Sequence, residues 1–597
     1  MTPEMALVLA LLGIAIVLFA TERLRVDLIS MMVLLSLLLT GLLTVEEAFS
    51  GFSNPAVITV WAIYIISEGL FITGIADYLG QRILGIAGNN PARLTVVIML
   101  AVGTMSAFMN NIGATAVLLP AVVAIGRKVK IPASKLLIPL AFGSLLGGVT
   151  TLIGTPPNLL VSSVLADAGY EPFSLLDYTP MGLIVMVSGI TYFAVAGRHL
   201  LPNRETHLTE DLTGDYNLRD YLTELKVLPT SNLIGKTIVE TALGEGYDLT
   251  VMGLMRDGQV RLEVLPDTHI EVDDVLLVKG SISKILDVQD RIGITIDSHR
   301  RLSELAINSP EASTIEVVIS QLADFAGKTL KEVNFRAKYG LTVLAIWHRE
   351  EAMVSRLGEA PLQLGDILLV QGPRQRLAYL RRDPAFIVLG PITMEHRRVN
   401  KALLSLAIFG GMILLVSTGT LHIATAAVLA AMLMVLVRVL TMEEAYTSIE
   451  WQSVFLIAGM LPLGIAMAKT GTADFLSSLM IDLVGDLGPR GIMVGLFLLT
   501  TIITEFMSNA AAAVLVAPIA ISSAVTLGVA PQAFVMGVAI AASNSFLFPI
   551  GHQASVLVYG PGSYRFFDYT KVGLPLTLMI WLLLIIFLPL LWPLQGA

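Results

Sequence analysis

Four apolar stretches of this chain are interrupted in mid-run by residues that a buried helix seldom carries, and the four form two pairs. Residues 93–108 and 110–127 are parted at Met109-Asn110-Asn111, and residues 491–506 and 509–525 at Met507-Ser508-Asn509. The runs 133–166 and 533–566 break at Gly154-Thr155-Pro156-Pro157-Asn158 and at Gly551-His552-Gln553. The surrounding composition, 55% hydrophobic and 14% charged, is far below the roughly 25% charge of soluble domains and suits a bundle of membrane spans. At membrane depth, irregular backbone persists only where protein buries it or where it lines a wet cavity. Four matched breaks therefore point to a site.

Ordinary spans are expected near 5–21, 26–43, 56–74 and 178–197, then 400–416, 421–438, 452–469 and 573–593, with the broken runs 133–166 and 533–566 between them. Each requires about 20 apolar residues, fewer where the bilayer adapts. The N-terminal run lacks a basic start and reads as a first span, not a removable signal. Each interrupted pair, 93–127 and 491–525, reads as a re-entrant hairpin. The two apolar zones repeat each other: LTVEEAF from Leu43 recurs as LTMEEAY from Leu440, TGIADYL from Thr73 as TGTADFL from Thr470, SAFMNN from Ser106 as TEFMSN from Thr504, and Gly154 as Gly551. The separation is 397 or 398 residues throughout. Five spans plus one hairpin per half is an odd number of crossings, so the second half is expected to be inverted.

Between the halves lies a polar zone with a repeat of its own, Gly246 to Ser281 paralleling Lys338 to Pro373. Short alternating strands, turns such as Asp257-Gly258 and a terminal helix predict two α+β lobes. The expected fold is a polytopic α-helical membrane protein with an inverted repeat and a cytoplasmic α+β insert. Its segments are 1–205 and 393–597 for the transmembrane repeats, and 206–300 and 301–392 for the lobes. Arg23, Arg25, Arg82, Arg93, Arg127, Lys128, Lys130, Lys135, Arg438, Arg565 and Lys571 fall on one side, and Asp167, Glu171 and Asp177 on the other. The positive-inside rule then makes the insert cytoplasmic and puts both termini outside, in a plasma (inner) membrane.

The tips carry the chemistry. A helix break frees backbone N–H and C=O groups. Freed N–H groups and positive helix ends attract an anion, while freed carbonyls and Asn oxygens attract Na⁺. The competing reading is that Asn and Ser merely cap hairpins, and the matched pairs weigh against it. No cysteine is present, and no catalytic triad, phosphate loop or metal-ligand cluster stands out, so the chain is not expected to be an enzyme, to hold a prosthetic group or to bind nucleic acid. Glu68 lies inside an apolar span and its repeat partner is Ile465; an intramembrane carboxylate is a functional suspect or a snorkelling group. Glu505 stands beside the second tip, either tuning a cation or pairing structurally.

The paired tips, the GTPPN run and FLFPIGHQASVLVYGPGSYRF resemble the divalent anion–sodium symporter family across both apolar zones. The lobes, at roughly 215–298 and 308–388, resemble the C-terminal ligand-binding domains of TrkA/RCK regulators. The resemblance implies one co-transported Na⁺ at Ser106, Asn110, Asn111 and Gly154, and a second at Thr504, Ser508, Asn509 and Gly551. It implies an anion held by Asn111, Ile112, Gly113, Thr155, Pro156, Asn509, Ala510, His552 and Gln553. The dicarboxylate members carry Ser-Asn-Thr at both tips, whereas Asn110-Asn111-Ile112 and Ser508-Asn509-Ala510 stand here. With fewer hydroxyl donors, a compact oxyanion such as sulfate is expected ahead of a dicarboxylate. A cation/proton antiporter or metalloid efflux carrier is disfavoured, because all four breaks are neutral, and a non-transporting sensor because both tips persist. Two lobes per chain suggest a homodimer whose four lobes meet, with an unidentified regulatory ligand.

Overall fold

The computed structural model describes residues 2–594 except 22–23, 76–89, 205–221, 239, 242, 244–248, 257–258, 262–267, 280–291, 297–311, 321–324, 326, 349–350, 354–356, 364, 381–382, 384, 389–397 and 485–486. Arg23, Arg82, the turn Asp257-Gly258 and the expected terminal helix of the first lobe fall outside the described residues. The chain parts into two compact units, Met1–Arg204 with Thr393–Ala597, and Glu205–Ile392.

In the first unit the helices of the N-terminal half are α1 (Pro3–Thr21), α2 (Val26–Leu39), α3 (Val45–Ser53), α4 (Pro55–Ile72), α5 (Pro91–Ser106), α6 (Asn111–Val129), α7 (Leu137–Gly148), α8 (Pro156–Asp167) and α9 (Thr179–Tyr192). The C-terminal half supplies α10 (Ala402–Ser417), α11 (Ile423–Leu436), α12 (Met442–Ser448), α13 (Trp451–Lys469), α14 (Thr472–Val484), α15 (Gly488–Thr504), α16 (Asn509–Thr526), α17 (Gln532–Ser543), α18 (Gln553–Tyr559) and α19 (Phe566–Leu591). Among the described residues, seven helices are long and apolar enough to cross a bilayer. Leu403, Leu414 and Val17 stand open on α10 and α1, as lipid-facing residues do, whereas α7 is buried along its whole length and α17 at every position after Gln532. At 1.5 Å per residue a twelve-residue helix such as α7, α8 or α17 spans about 18 Å, short of a 30 Å core. Each is too short to cross such a core alone.

The recurring motifs build the same helix ends in both halves. Thr44 and Glu47 form a capping box on α3, and Thr441 and Glu444 form its copy on α12. In each, the Thr hydroxyl and the Glu carboxylate satisfy N–H groups that have no helical partner. The Thr-Gly pair closes α4 and α13. Thr73 and Thr470 each donate 2.8 Å to the carbonyl four residues back, and Gly74 and Gly471 take φ of +75° and +72°, the left-handed turn that ends a helix.

The halves pack reciprocally: α2 lies on α13 and α11 on α4, while α6 lies on α18 and α8 on α16. Two bundles result. One holds α1–α4 and α10–α13, the other α5–α9 and α15–α19, with α14 packed against both, and they meet chiefly where α16 touches α13 and α8 touches α4 and α13. The chain leaves the second bundle at 201–204. Ser134 binds the carbonyls of Pro202 and Arg204, Lys135 binds that of Leu201, and Arg204 pairs with Asp568 at 2.8 Å. It re-enters on the first bundle, where Arg398 pairs with Glu444 at 2.8 Å and donates to the carbonyl of Val439, while Lys401 reaches Val437.

The second unit contains two five-stranded antiparallel sheets. In the first, β1 (Leu222–Val227), β2 (Thr250–Arg256), β3 (Gln259–Arg261), β4 (Val275–Lys279) and β5 (Ile294–Ile296) run in the order β3-β2-β4-β1-β5. In the second, β6 (Ala312–Ile319), β7 (Thr342–His348), β8 (Glu351–Met353), β9 (Ile367–Pro373) and β10 (Phe386–Val388) run β10-β6-β9-β7-β8, the same order read from the other end. The bulge at Val251/Gly253 recurs at Val343/Ala345, and the bridge Thr237–His269 recurs as Thr329–Pro361. Each lobe closes on its own apolar core, around Leu254, Leu276 and Val278 in one and Leu368, Val370 and Phe386 in the other.

Candidate functional site

The first tip is the four-residue turn between α5 and α6. Ser106, last in α5, donates at 2.6 Å to Asn111 Oδ1, a length that suits O–H···O and is short for N–H···O. The contact therefore fixes which way the amide faces. Asn110 turns aside and accepts from Ile112 N at 3.0 Å, capping α6. Asn111 Oδ1 rests on Gly148, where a Cβ would lie 2.4 Å away. Gly154 is enclosed by carbonyls: a Cβ there would lie 2.4 Å from Gly148 O, 2.9 Å from Ser106 O and 3.0 Å from Ala107 O. One hydroxyl, one carboxamide oxygen and three carbonyl oxygens thus gather around two glycines, a donor set that suits a hard monovalent cation.

The second tip repeats this with changes. Thr504 Oγ1 lies 2.9 Å from Asn509 Oδ1 and 2.7 Å from Ala542 O, and Ser545 Oγ lies 3.0 Å from Asn509 Oδ1. Asn509 Nδ2 is buried without a partner. Glu505, 1% exposed, accepts from Leu547 N and Phe548 N at 3.0 Å each, and its Oε2 is 2.8 Å from where a Cβ on Gly551 would be. Its carboxylate pins the second break to the second tip. Ser508 stands at the N-cap of α16 without a side-chain cap bond.

The breaks open earlier than the sequence suggests, because α7 ends at Gly148 and α17 at Ser543. Side chains brace the released backbone. Thr151 Oγ1 bonds Ala107 O, Asn158 Nδ2 bonds Thr151 O at 2.8 Å and Thr179 bonds Thr150 O at 2.9 Å. Thr155 and His552 occupy matching N-cap positions of α8 and α18, at φ/ψ of −147°/142° and −149°/138°. His552 Nδ1 accepts from Ala554 N at 3.0 Å, so a neutral ring carries its hydrogen on Nε2. That nitrogen lies 3.5 Å from Asn111 Nδ2. The two donors come from opposite halves of the chain and cannot satisfy each other.

Of the residues singled out by sequence, the structure joins Ser106, Asn111 and Gly154 in one cluster, Thr504 and Asn509 in another, Glu505 with Gly551, and Asn111 with His552. Pro156 opens α8, Gln553 opens α18, and Ile112, Gly113 and Ala510 lie in the first turns of α6 and α16. Glu68 is half-buried on α4, beside a Ser67 hydroxyl that is buried without a partner. Sequence reasoning missed Gly148, Ser545 and Asn544. The chain offers a signal only by alignment of its halves, which puts Asn544-Ser545 opposite Gly147-Gly148.

Comparison with known proteins gives a consistent picture. An uncharacterized transporter of Synechocystis is 35% identical over 97% of this chain and 95% of its own length. The uncharacterized transporter YfbS of Escherichia coli is 35% identical over 99% and 100%. Sodium/sulfate cotransporter 1 of Chlamydomonas reinhardtii is 28% identical over 55% of this chain and 39% of that one. A crystal structure of the GsuK RCK domain overlaps 27% of the chain and 62% of its own, at 12% identity and a TM-score of 0.14, too slight a likeness to argue from. These three transporters agree with the resemblance to divalent anion–sodium symporters. The citrate transporter family model matches residues 16–541, and by that match the chain belongs to the citrate transporter family.

Proposed function

We propose that the protein is a Na⁺-coupled symporter that takes up a small divalent anion, sulfate first among them. The observation that carries this reading is the set of unanswered donors at the meeting of the halves. Asn111 Nδ2 and His552 Nε2 face each other at 3.5 Å, and Asn509 Nδ2 is buried without a partner. Both carboxamides turn their oxygens to hydroxyls and leave their NH₂ groups for an acceptor. An oxyanion supplies such acceptors, and the N-termini of α6, α8, α16 and α18 add N–H groups and positive dipole ends. Oxygen clusters beside each tip suit Na⁺ at Ser106, Asn111 and Gly154 and at Thr504, Asn509 and Gly551. Ile112 and Ala510 place no hydroxyl next to the anion, which favours a compact tetrahedral ion. The sodium/sulfate cotransporters among the relatives support the same ion pair.

In this reading α5–α6 and α15–α16 are re-entrant hairpins, the second half is inverted, both termini lie outside, and the lobes, 206–300 and 301–392, are cytoplasmic and pair in a homodimer. The reciprocal packing of α2, α4, α11 and α13 is what a two-fold relation between halves produces. A second reading, uptake of an organic di- or tricarboxylate, is favoured by the description of the matching family. Uptake of radiolabelled sulfate, succinate and citrate into proteoliposomes, under inward gradients of NaCl, KCl or choline chloride, separates the two. Sulfate uptake that requires Na⁺ is expected. Preference for citrate or succinate overturns the anion, and equal uptake in choline overturns the coupling ion.

A further inference from the structure

The two oxygen clusters are not copies. In the first, Gly147 and Gly148 end α7, and neither brings a side chain to Asn111. In the second, Asn544 and Ser545 stand at the matching places. Ser545 Oγ reaches Asn509 Oδ1 at 3.0 Å and lies 3.5 Å from Thr504 Oγ1. Four oxygens, those of Thr504, Ser545, the Asn509 side chain and the Ala542 carbonyl, therefore crowd together with only two hydroxyl hydrogens among them. Thr504 has one hydrogen for two acceptors, at 2.7 and 2.9 Å. Crowded oxygens short of protons are what a cation's inner shell looks like. Asn544, 4% exposed, is buried with neither its amide oxygen nor its nitrogen bonded, the state of a polar group awaiting a ligand. The neighbouring break differs too, since Glu505 brings a carboxyl group beside Gly551, whereas its counterpart in the first half is Ala107.

We propose that Ser545 and Asn544 complete the second cation site and make it the stronger of two unequal Na⁺ sites. The inference rests on the Na⁺ reading of the tips. Sodium fills the second site first, and the glycine-lined first site answers to higher concentrations, so the first site sets the Na⁺ level at which uptake becomes half-maximal.

The test is thermal unfolding of the purified full chain, titrated with NaCl against choline chloride at constant ionic strength. A ligand that binds only the folded state raises the melting temperature in a concentration-dependent way. The wild type is expected to show two Na⁺ concentrations, one where the melting temperature begins to climb and a higher one where it climbs more steeply, each taken as the apparent midpoint of one site. Ser545→Gly and Asn544→Gly, each restoring the first half's residue, are expected to move the tighter step to about tenfold higher Na⁺, while Ser545→Thr, which keeps the hydroxyl, leaves it in place. A merely structural role would lower the choline baseline and leave the Na⁺ midpoint alone. No Na⁺ response in the wild type overturns the Na⁺ reading itself. A wild-type response whose tight midpoint is unchanged in both glycine variants overturns this proposal alone. Should a glycine variant fail to fold, Ser545→Ala decides: an unchanged midpoint in that folded variant also overturns it.

Discussion

In the proposed reading Asn111 and Asn509 each serve two masters, with an oxygen turned to a cation cluster and an NH₂ group turned toward the anion. Asn111→Ala and Asn509→Ala are therefore expected each to reduce uptake to the level of empty vesicles, while the purified variants still elute as folded, monodisperse protein. Normal uptake by either removes that residue from the site. Gly154 is more demanding, since the smallest side chain would meet three backbone carbonyls that cannot rotate away. Gly154→Ala is expected to abolish uptake and to destabilise the fold by about 1–3 kcal/mol, the range for overpacking. Two non-glycine residues sit where the other half uses glycine in a left-handed turn. Arg438 has φ +59° against Gly41 at +75°, and Lys130 has +56° against Gly528 at +66°. The left-handed conformation costs a residue with a Cβ roughly 1–2 kcal/mol, so Arg438→Gly should stabilise by about 1 kcal/mol, read as a higher melting temperature.

The capping Thr-Glu pairs work as units at the level of the element. In the lobes the same Thr-x-x-Glu pairing occurs in turns, Thr237 with Glu240 and Thr329 with Glu332, the threonine N–H reaching the carboxylate at 2.9 and 2.7 Å. These bonds, chiefly the one from the backbone, hold both carboxyls below the ordinary carboxylate range. A lowered folded value means the stabilisation is complete above the unfolded value of about 4.3 and is lost as pH falls through the folded one. The melting of the lobes should therefore be flat from pH 7 to about pH 5 and weaken below about pH 4, and the double change Glu240→Gln, Glu332→Gln should flatten the acid side. Calorimetry of the intact protein across that range checks both. Such elements are legible in the sequence because their signals are local. Asn-Asn inside an apolar run announces a break, and a repeat of whole strands announces a second lobe. What escaped were the ends of the breaks and the residues facing the tips. Gly148 and Ser545 are small residues at the close of apolar runs, and what distinguishes them is a neighbour some forty residues away in sequence.

The inserted unit carries no residue of either tip. Replacing residues 215–388 with a flexible linker should preserve Na⁺-dependent uptake and alter its maximal rate, measured in the same vesicles. Complete loss of binding in a folded variant would make the insert part of the transport site. Its two attachments give it leverage of a particular kind. Residues 201–204 are fastened by Ser134, Lys135 and Asp568 to the bundle that holds the tips, and Arg398 and Lys401 are fastened to the other bundle at Glu444, Val439 and Val437. The insert is a strap buckled at each end to a different body. Sliding of one bundle past the other would change the distance between the two buckles. Anything that fixed the distance between the two buckles would resist that sliding, at a remove from both tips.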